Sequence, residues 1–206
     1  VIPHLFAAIA GYLLGALPFG YLVARAKGVN IFEVGSRNPG ATNVRRVLGR
    51  GPGNLVLFLD AAKGAVAVAW PLLLGRGGST EELSLVGFVA AILGHSFSCF
   101  TGFRGGKSVA TAAGGLTVLF PAGMGIALAV FLLTLATSRY VSLASMAGGV
   151  AVAVSAFALR QSLLVAGVAV GAALFVILRH RANLARLLAG TEPRVDRKPP
   201  PVDPLP

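Results

Sequence analysis

Apolar runs of membrane-crossing length recur along the whole chain, at about residues 2–24, 53–75, 83–100, 108–120, 121–137, 141–159 and 161–178. Too little polar sequence lies between them to clothe a water-soluble globule. Hydrophobic residues fill 55% of the 206 positions and Gly another 27, against 18 Lys/Arg and 7 Asp/Glu, and the mean hydropathy is +0.80. A soluble domain carries about 25% charged residues; this chain carries 12%. At roughly 20 residues per span, seven spans leave room for loops and for no separate soluble domain. The single Cys99 cannot form an internal disulfide.

The reading is therefore an all-α, multi-pass membrane protein, and its net charge of +11 is a question of sidedness rather than of nucleic-acid binding. The ambiguous stretch is 108–137. As one helix it would be about 45 Å long, and Pro121, Gly123 and Gly125 interrupt it. If it makes two spans, 15 of the 18 Lys/Arg fall on one side, with Arg76 and Arg160 opposite and Lys63 inside a span; if it makes one, the split is 9 against 8. Basic residues collect on the cytoplasmic side. That rule favours seven spans, N-terminus outside and C-terminus in the cytoplasm. The first run lacks a basic region before it and is long for a signal peptide, so it reads as a retained span.

Polar chemistry gathers in three inward segments. The first contains Gly35, Ser36, Asn38, Gly40, Thr42, Asn43, Arg45 and Arg46, a composition suited to a tight loop with backbone N–H groups free to meet an anion. The same composition suits an ordinary cytoplasmic turn. The second contains His95, Arg104, Gly105, Gly106, Lys107 and Ser108, glycines and cations leading into a helix start; such a terminus binds phosphate. It is one residue short of a Walker A loop, which disfavours a nucleotide triphosphatase. His95 reads as an interfacial or hydrogen-bonded helix residue rather than a ligand. In the third, His180 and Asn183 fall 60° apart on a helix beside Leu184 and Leu187, with Arg181 and Arg186 expected on other faces. A juxtamembrane helix meeting anionic lipid explains the arginines but not Asn183.

Two further features stand apart. Asp60 and Lys63 are i, i+3 neighbours within a span, where each charge alone costs about 2.5–3.5 kcal/mol; they read as a structural pair. The Pro-rich stretch 193–206 cannot build a core and is expected to be a disordered cytoplasmic tail after a single domain 1–192.

The three segments, in this order and on one side, resemble the motifs of the PlsY-type acyl-phosphate:glycerol-3-phosphate acyltransferases. The matching residues are Gly35-Ser36-x-Asn38-x-Gly40-Ala41-Thr42-Asn43-x-x-Arg46, then Gly94-His95 with Phe103-Arg104-Gly105-Gly106-Lys107-x-Val109-Ala110-Thr111, then His180-Arg181-x-Asn183-x-x-Arg186-Leu187-x-x-Gly190-x-Glu192. Arg37 and Ser108 stand where small residues are expected, and Arg104 where lysine is familiar. The resemblance implies transfer of a fatty acyl group from acyl phosphate to the sn-1 hydroxyl of glycerol 3-phosphate at a cytoplasm-facing site in the bacterial inner membrane. It implies catalytic roles for Ser36, Arg46, Lys107, His180 and Asn183, and substrate contacts for Asn38, Thr42, Asn43, Arg45, Arg104, Gly105, Gly106 and Ser108. Glu192, with Asp60 and Lys63, is expected to brace the structure.

An acyl phosphate already carries a good leaving group, so the reaction calls for positioning and charge stabilisation, with no metal, no other cofactor, and no CoA or acyl carrier protein. A carrier-dependent acyltransferase would use His-x-x-x-x-Asp, yet Ile9, Phe100 and Ala185 stand five residues after His4, His95 and His180. The competing class is a membrane transporter or exchanger of a phosphorylated solute, which basic glycine loops also fit; the short outward loops count against it.

Overall fold

The computed structural model describes residues 1–74 and 80–195, so Arg76 and residues 196–206 of the Pro-rich tail lie outside the described residues. Those described form helices α1 (Ile2–Ala16), α2 (Phe19–Arg25), α3 (Ala41–Leu48), α4 (Arg50–Leu74), α5 (Thr80–Ser96), α6 (Val109–Leu119), α7 (Pro121–Ser138), α8 (Val141–Ala158), α9 (Leu163–Arg179) and α10 (Arg181–Leu188). Among the described residues five spans are long and apolar enough to cross a bilayer, α1 and α2 together making one of them. There are six if α9 and α10, bent by 58°, count as a broken span.

The first apolar run is split because Pro18 has no N–H to continue the ladder. The Leu17 carbonyl released at the break accepts from Lys63 Nζ at 2.8 Å. The run at 108–120 folds as the 11-residue α6, about 16 Å long against a hydrocarbon core of about 30 Å; Phe120, at φ −147°, ψ 67°, and Pro121 stop it and start α7.

Small residues set the packing. α1 lies so close to α5 that a Cβ on Gly15 would stand 2.1 Å from the Ala91 carbonyl oxygen, and one on Gly11 2.6 Å from that of Gly87. The GxxxG pair thus closes a contact within one chain. α4 packs on α5 and α6, α7 on α8, and α8 on α9, around Val68, Phe88, Ile92, Leu116, Phe120 and Val152. Large apolar side chains such as Leu5, Ile9, Phe58, Leu133, Phe157 and Leu178 stay exposed, as a lipid-facing surface requires.

Contacts at the two ends fix how the helices run. At one end His4 meets Glu82 at 3.3 Å and Ser162 bonds Glu81 at 2.9 Å, which brings together the starts of α1, α5 and α9. At the other, Ser98 Oγ donates to the Ala16 carbonyl at 2.6 Å, and all three polar segments meet there. The chain stays docked past the expected boundary at 193: the Val195 N–H donates to the Arg139 carbonyl at 3.0 Å, and Arg194 lies 5.2 Å from the centre of the Tyr140 ring. A cation–π contact and a backbone bond hold this first part of the tail to the α7–α8 turn.

Candidate functional site

The first segment is folded around Asn43. Its side chain, 2% exposed, accepts the Ser36 N–H at 2.8 Å and donates to the Val34 carbonyl at 3.1 Å. Arg46, one turn later on α3, donates to the same oxygen at 3.4 Å. Asn38 closes an Asx turn by accepting the Gly40 N–H at 2.9 Å. Ser36, Thr42 and Arg45 are exposed, and their side chains have no hydrogen-bond partner among the described residues. Ile31, Phe32 and Val44 seat the loop on α2 and α4, and the Arg104 guanidinium lies 4.4 Å from the centre of the Phe32 ring, joining the first segment to the second.

The second segment is clamped at Gly105–Gly106. The Gly106 N–H donates to the His95 carbonyl at 3.1 Å; its own carbonyl accepts Arg179 at 2.9 Å and Ser96 Oγ at 3.2 Å. Arg179 also reaches the Gly105 carbonyl at 3.3 Å and stacks over Phe97 at 5.1 Å. Lys107 follows directly and aims Nζ at Asn183 Oδ1. The N–H groups of Gly105 and Lys107 donate to no carbonyl among the described residues.

In the third segment Glu192 folds back over α10. One carboxylate oxygen accepts from Ser142 at 2.7 Å and Asn183 at 2.6 Å, and the other accepts Arg186 Nε at 2.7 Å. Asn183 is thereby held between Glu192 and Lys107. His180, at the elbow between α9 and α10, is 4% exposed; its Nδ1 is bonded to the Val176 carbonyl at 2.8 Å, which leaves Nε2 as the acceptor nitrogen.

The electrostatics follow from four cations gathered around one carboxylate. Burial lowers the Lys107 ammonium from 10.5 to about 8; Arg186, Arg46 and Arg179 push the same way and Glu192 opposes them. Burial likewise lowers Arg46, which Glu192 partly offsets. His180 falls to about 4, through burial and then the neighbouring Lys107, so it is neutral at pH 7. Burial raises the Glu192 carboxyl, but the bonds from Asn183, Ser142 and Arg186 outweigh it and leave it below 4.5.

The fold thus brings Arg46, Lys107, His180, Asn183 and Glu192 together, while Ser36, Asn38, Thr42, Arg45 and Arg104 remain on the rim. Three expected substrate contacts have their polar groups engaged within the protein. Asn43, Gly106 and Ser108 are buried with their polar groups already committed; Ser108 Oγ sits 2.8 Å from both the Ile92 carbonyl and Ser96 Oγ. Arg186 does not point away from Asn183: three residues apart, the two side chains lie 60° apart on α10 and meet Glu192 together. Sequence reading missed Arg179 and Ser142. The spacing Arg179, Asn183, Arg186 (i, i+4, i+7) could have shown the first; Ser142, on another helix, gave no signal.

The chain matches the family model described as glycerol-3-phosphate acyltransferase over residues 5–190. It is 45% identical over 198 residues to the glycerol-3-phosphate acyltransferase of a Synechococcus strain, covering 94% of both chains. It is also 45% identical over 195 residues to that of Thermus thermophilus, covering 92% of this chain and 94% of the relative. Its fold is similar to a crystal structure of PlsY, an integral membrane glycerol 3-phosphate acyltransferase, in the glycerol 3-phosphate form, with a TM-score of 0.86 at 38% identity over 93% of this chain and 94% of that one. The lysophosphatidic acid form of PlsY gives a TM-score of 0.84 at the same identity and coverage.

Proposed function

Because the chain belongs to the glycerol-3-phosphate acyltransferase family, we propose that it transfers a fatty acyl group from acyl phosphate to the sn-1 hydroxyl of glycerol 3-phosphate, releasing lysophosphatidic acid and phosphate. The observation that carries this reading is the charge arrangement. Glu192 spends both oxygens on Ser142, Asn183 and Arg186, so the positive charge of Lys107 and Arg46 is left for two phosphoryl groups. Lys107, with the N–H groups of Gly105 and Lys107, takes the acceptor phosphate. Ser36 and Arg46 hold the donor and the oxyanion that develops on its carbonyl.

His180 Nε2 and Asn183 orient the attacking hydroxyl. Its oxygen bonds to the acyl carbon, the bond from that carbon to the phosphoryl oxygen breaks, and phosphate leaves. The proton goes to a substrate phosphate oxygen. A phosphate ester with a second pKa of about 6 is a stronger base than an imidazole lowered to about 4. Purified protein in detergent, given acyl phosphate and glycerol 3-phosphate, therefore releases inorganic phosphate in step with lysophosphatidic acid. A transporter would need a sealed membrane and would release none. Two further results are expected: no acyl-Ser36 adduct accumulates when the acceptor is omitted, and imidazole does not restore a His180→Gln enzyme. An isolable adduct would replace substrate assistance with a protein nucleophile; rescue by imidazole would make His180 the base.

The membrane arrangement that fits this reading has seven segments, with α6 as the short one, the N-terminus outside and the site facing the cytoplasm. All three polar segments share one end of the helices, and the basic residues collect there. In a Cys99→Ala background, single cysteines at Arg37 and Thr101 should react with an impermeant thiol reagent from the cytoplasmic side and one at Arg160 from the opposite side. Labelling of position 37 from outside the cell would reverse the orientation.

A further inference from the structure

We propose that Asp60, Lys63 and His95 act together as a buried positioning unit, which holds the Gly105–Gly106 turn and so sets where Lys107 stands. The inference rests on the assignment of Lys107 to the substrate phosphate.

Two opposite charges that merely neutralised each other in a membrane helix would need no third partner. Here each has one. Asp60 and Lys63, 2% and 4% exposed, pair at 2.9 Å, but Lys63 Nζ also donates to the Leu17 carbonyl at the α1–α2 break. Asp60 Oδ1 faces His95 Nδ1 at 3.5 Å. His95 sits in the last turn of α5, where the second polar segment begins.

His95 meets Gly106 twice. Its carbonyl accepts the Gly106 N–H, and its Nε2 occupies the space a Gly106 side chain would need, 2.1 Å from the Cβ position. Only glycine lets the turn lie against the imidazole edge. Behind this contact the cavity bounded by Asp60, Lys63, His95, Gly105, Gly106 and Pro39 measures about 10 Å³, at most room for one water. The turn therefore cannot settle further toward α4, and Arg179 and Ser96 hold its other side through the Gly106 carbonyl. Position passes from Lys63 to Asp60, from Asp60 to the orientation of the His95 ring, and from that ring through Gly106 to the next residue, Lys107. Pro39, from the first segment, touches the same cavity, which ties the unit to the loop that carries Ser36 and Arg46.

The test is a pair of mutant cycles read in kcat and KM, with detergent melting temperature recorded for every variant. Gly106→Ala should lose at least 100-fold in kcat, because its methyl group collides with the imidazole. His95→Ala should lose about tenfold, and the double variant, with space for the methyl group, should recover at least tenfold over Gly106→Ala. Asp60→Asn should lower kcat about tenfold in the parent and less than twofold in the His95→Ala background, since it acts through that ring. A purely structural pair would give melting losses without this coupling in kcat. His95→Asn, which still offers Asp60 a donor and is too short to reach Gly106, repeats both cycles should His95→Ala not fold.

Additive kcat losses for Asp60→Asn and His95→Ala would overturn the proposal, as would a double variant no better than Gly106→Ala. A parent protein that releases no phosphate from the two substrates would instead overturn the functional reading. The two failures are thus separable.

Discussion

Lys107→Met should abolish acyl transfer, lowering kcat/KM by about 10³-fold, the scale on which losing one preorganised donor to a developing or transferring anion is felt. The methionine chain fills the lysine's space, so the loss reports the ammonium and not a cavity. Because the folded Lys107 titrates at about 8, the parent loses this charge as pH rises through that value, and kcat/KM should fall about tenfold per pH unit above it. The direction is set by burial: the group is charged below about pH 8 and neutral above. Lys107→Arg keeps a charge that does not titrate in this range, so it should retain part of the activity and flatten the alkaline fall. An unchanged alkaline limb in Lys107→Arg would assign that titration to another group. The repulsion of Lys107 from Arg46, Arg179 and Arg186 is relieved when a phosphate dianion enters, so the alkaline limb of kcat should lie above that of kcat/KM.

Glu192→Ala strips Ser142, Asn183 and Arg186 of their shared acceptor at once. Leaving a buried donor unpaired costs about 1–3 kcal/mol, and the two buried ones, Ser142 and Asn183, should make this variant melt below the parent in detergent. Activity falls with it by about 10²-fold or more, because Asn183 loses one of its two anchors and no longer aligns with Lys107. Glu192→Gln keeps an oxygen for two of the bonds but withdraws the countercharge of Arg186, and should lie between the two. The carboxyl sits below 4.5 in the folded protein, so its stabilisation is present above that value and is lost as pH falls through the lower folded one. A Glu192→Ala protein with parental melting temperature and a selective kcat loss would move Glu192 from bracing to chemistry.

Much of this was legible along the chain because it depends on local order. Hydropathy located every long helix, since a helix in lipid must satisfy its own backbone within one run of apolar residues. Lengths were harder: α6 is short and the first run breaks at Pro18, although Pro121 and Pro18 were in view. The three polar segments and their shared side also followed from charge placement. The exposed Ser36, Thr42 and Arg45 and the buried Asn43 and Ser108 were not separable in sequence, because all are small or polar residues in glycine-rich loops.

The sequence by itself determined a helical membrane chain with its polar chemistry gathered in three segments at one end. Only the tertiary structure decided which polar atoms remain for a ligand. Hydrogen bonds between distant residues make that division: Ser142 with Glu192, Arg179 with Gly106, Lys63 with Leu17. Each spends a group that composition would count as available, and each depends on how close two helices pack, which spacing along one helix does not encode.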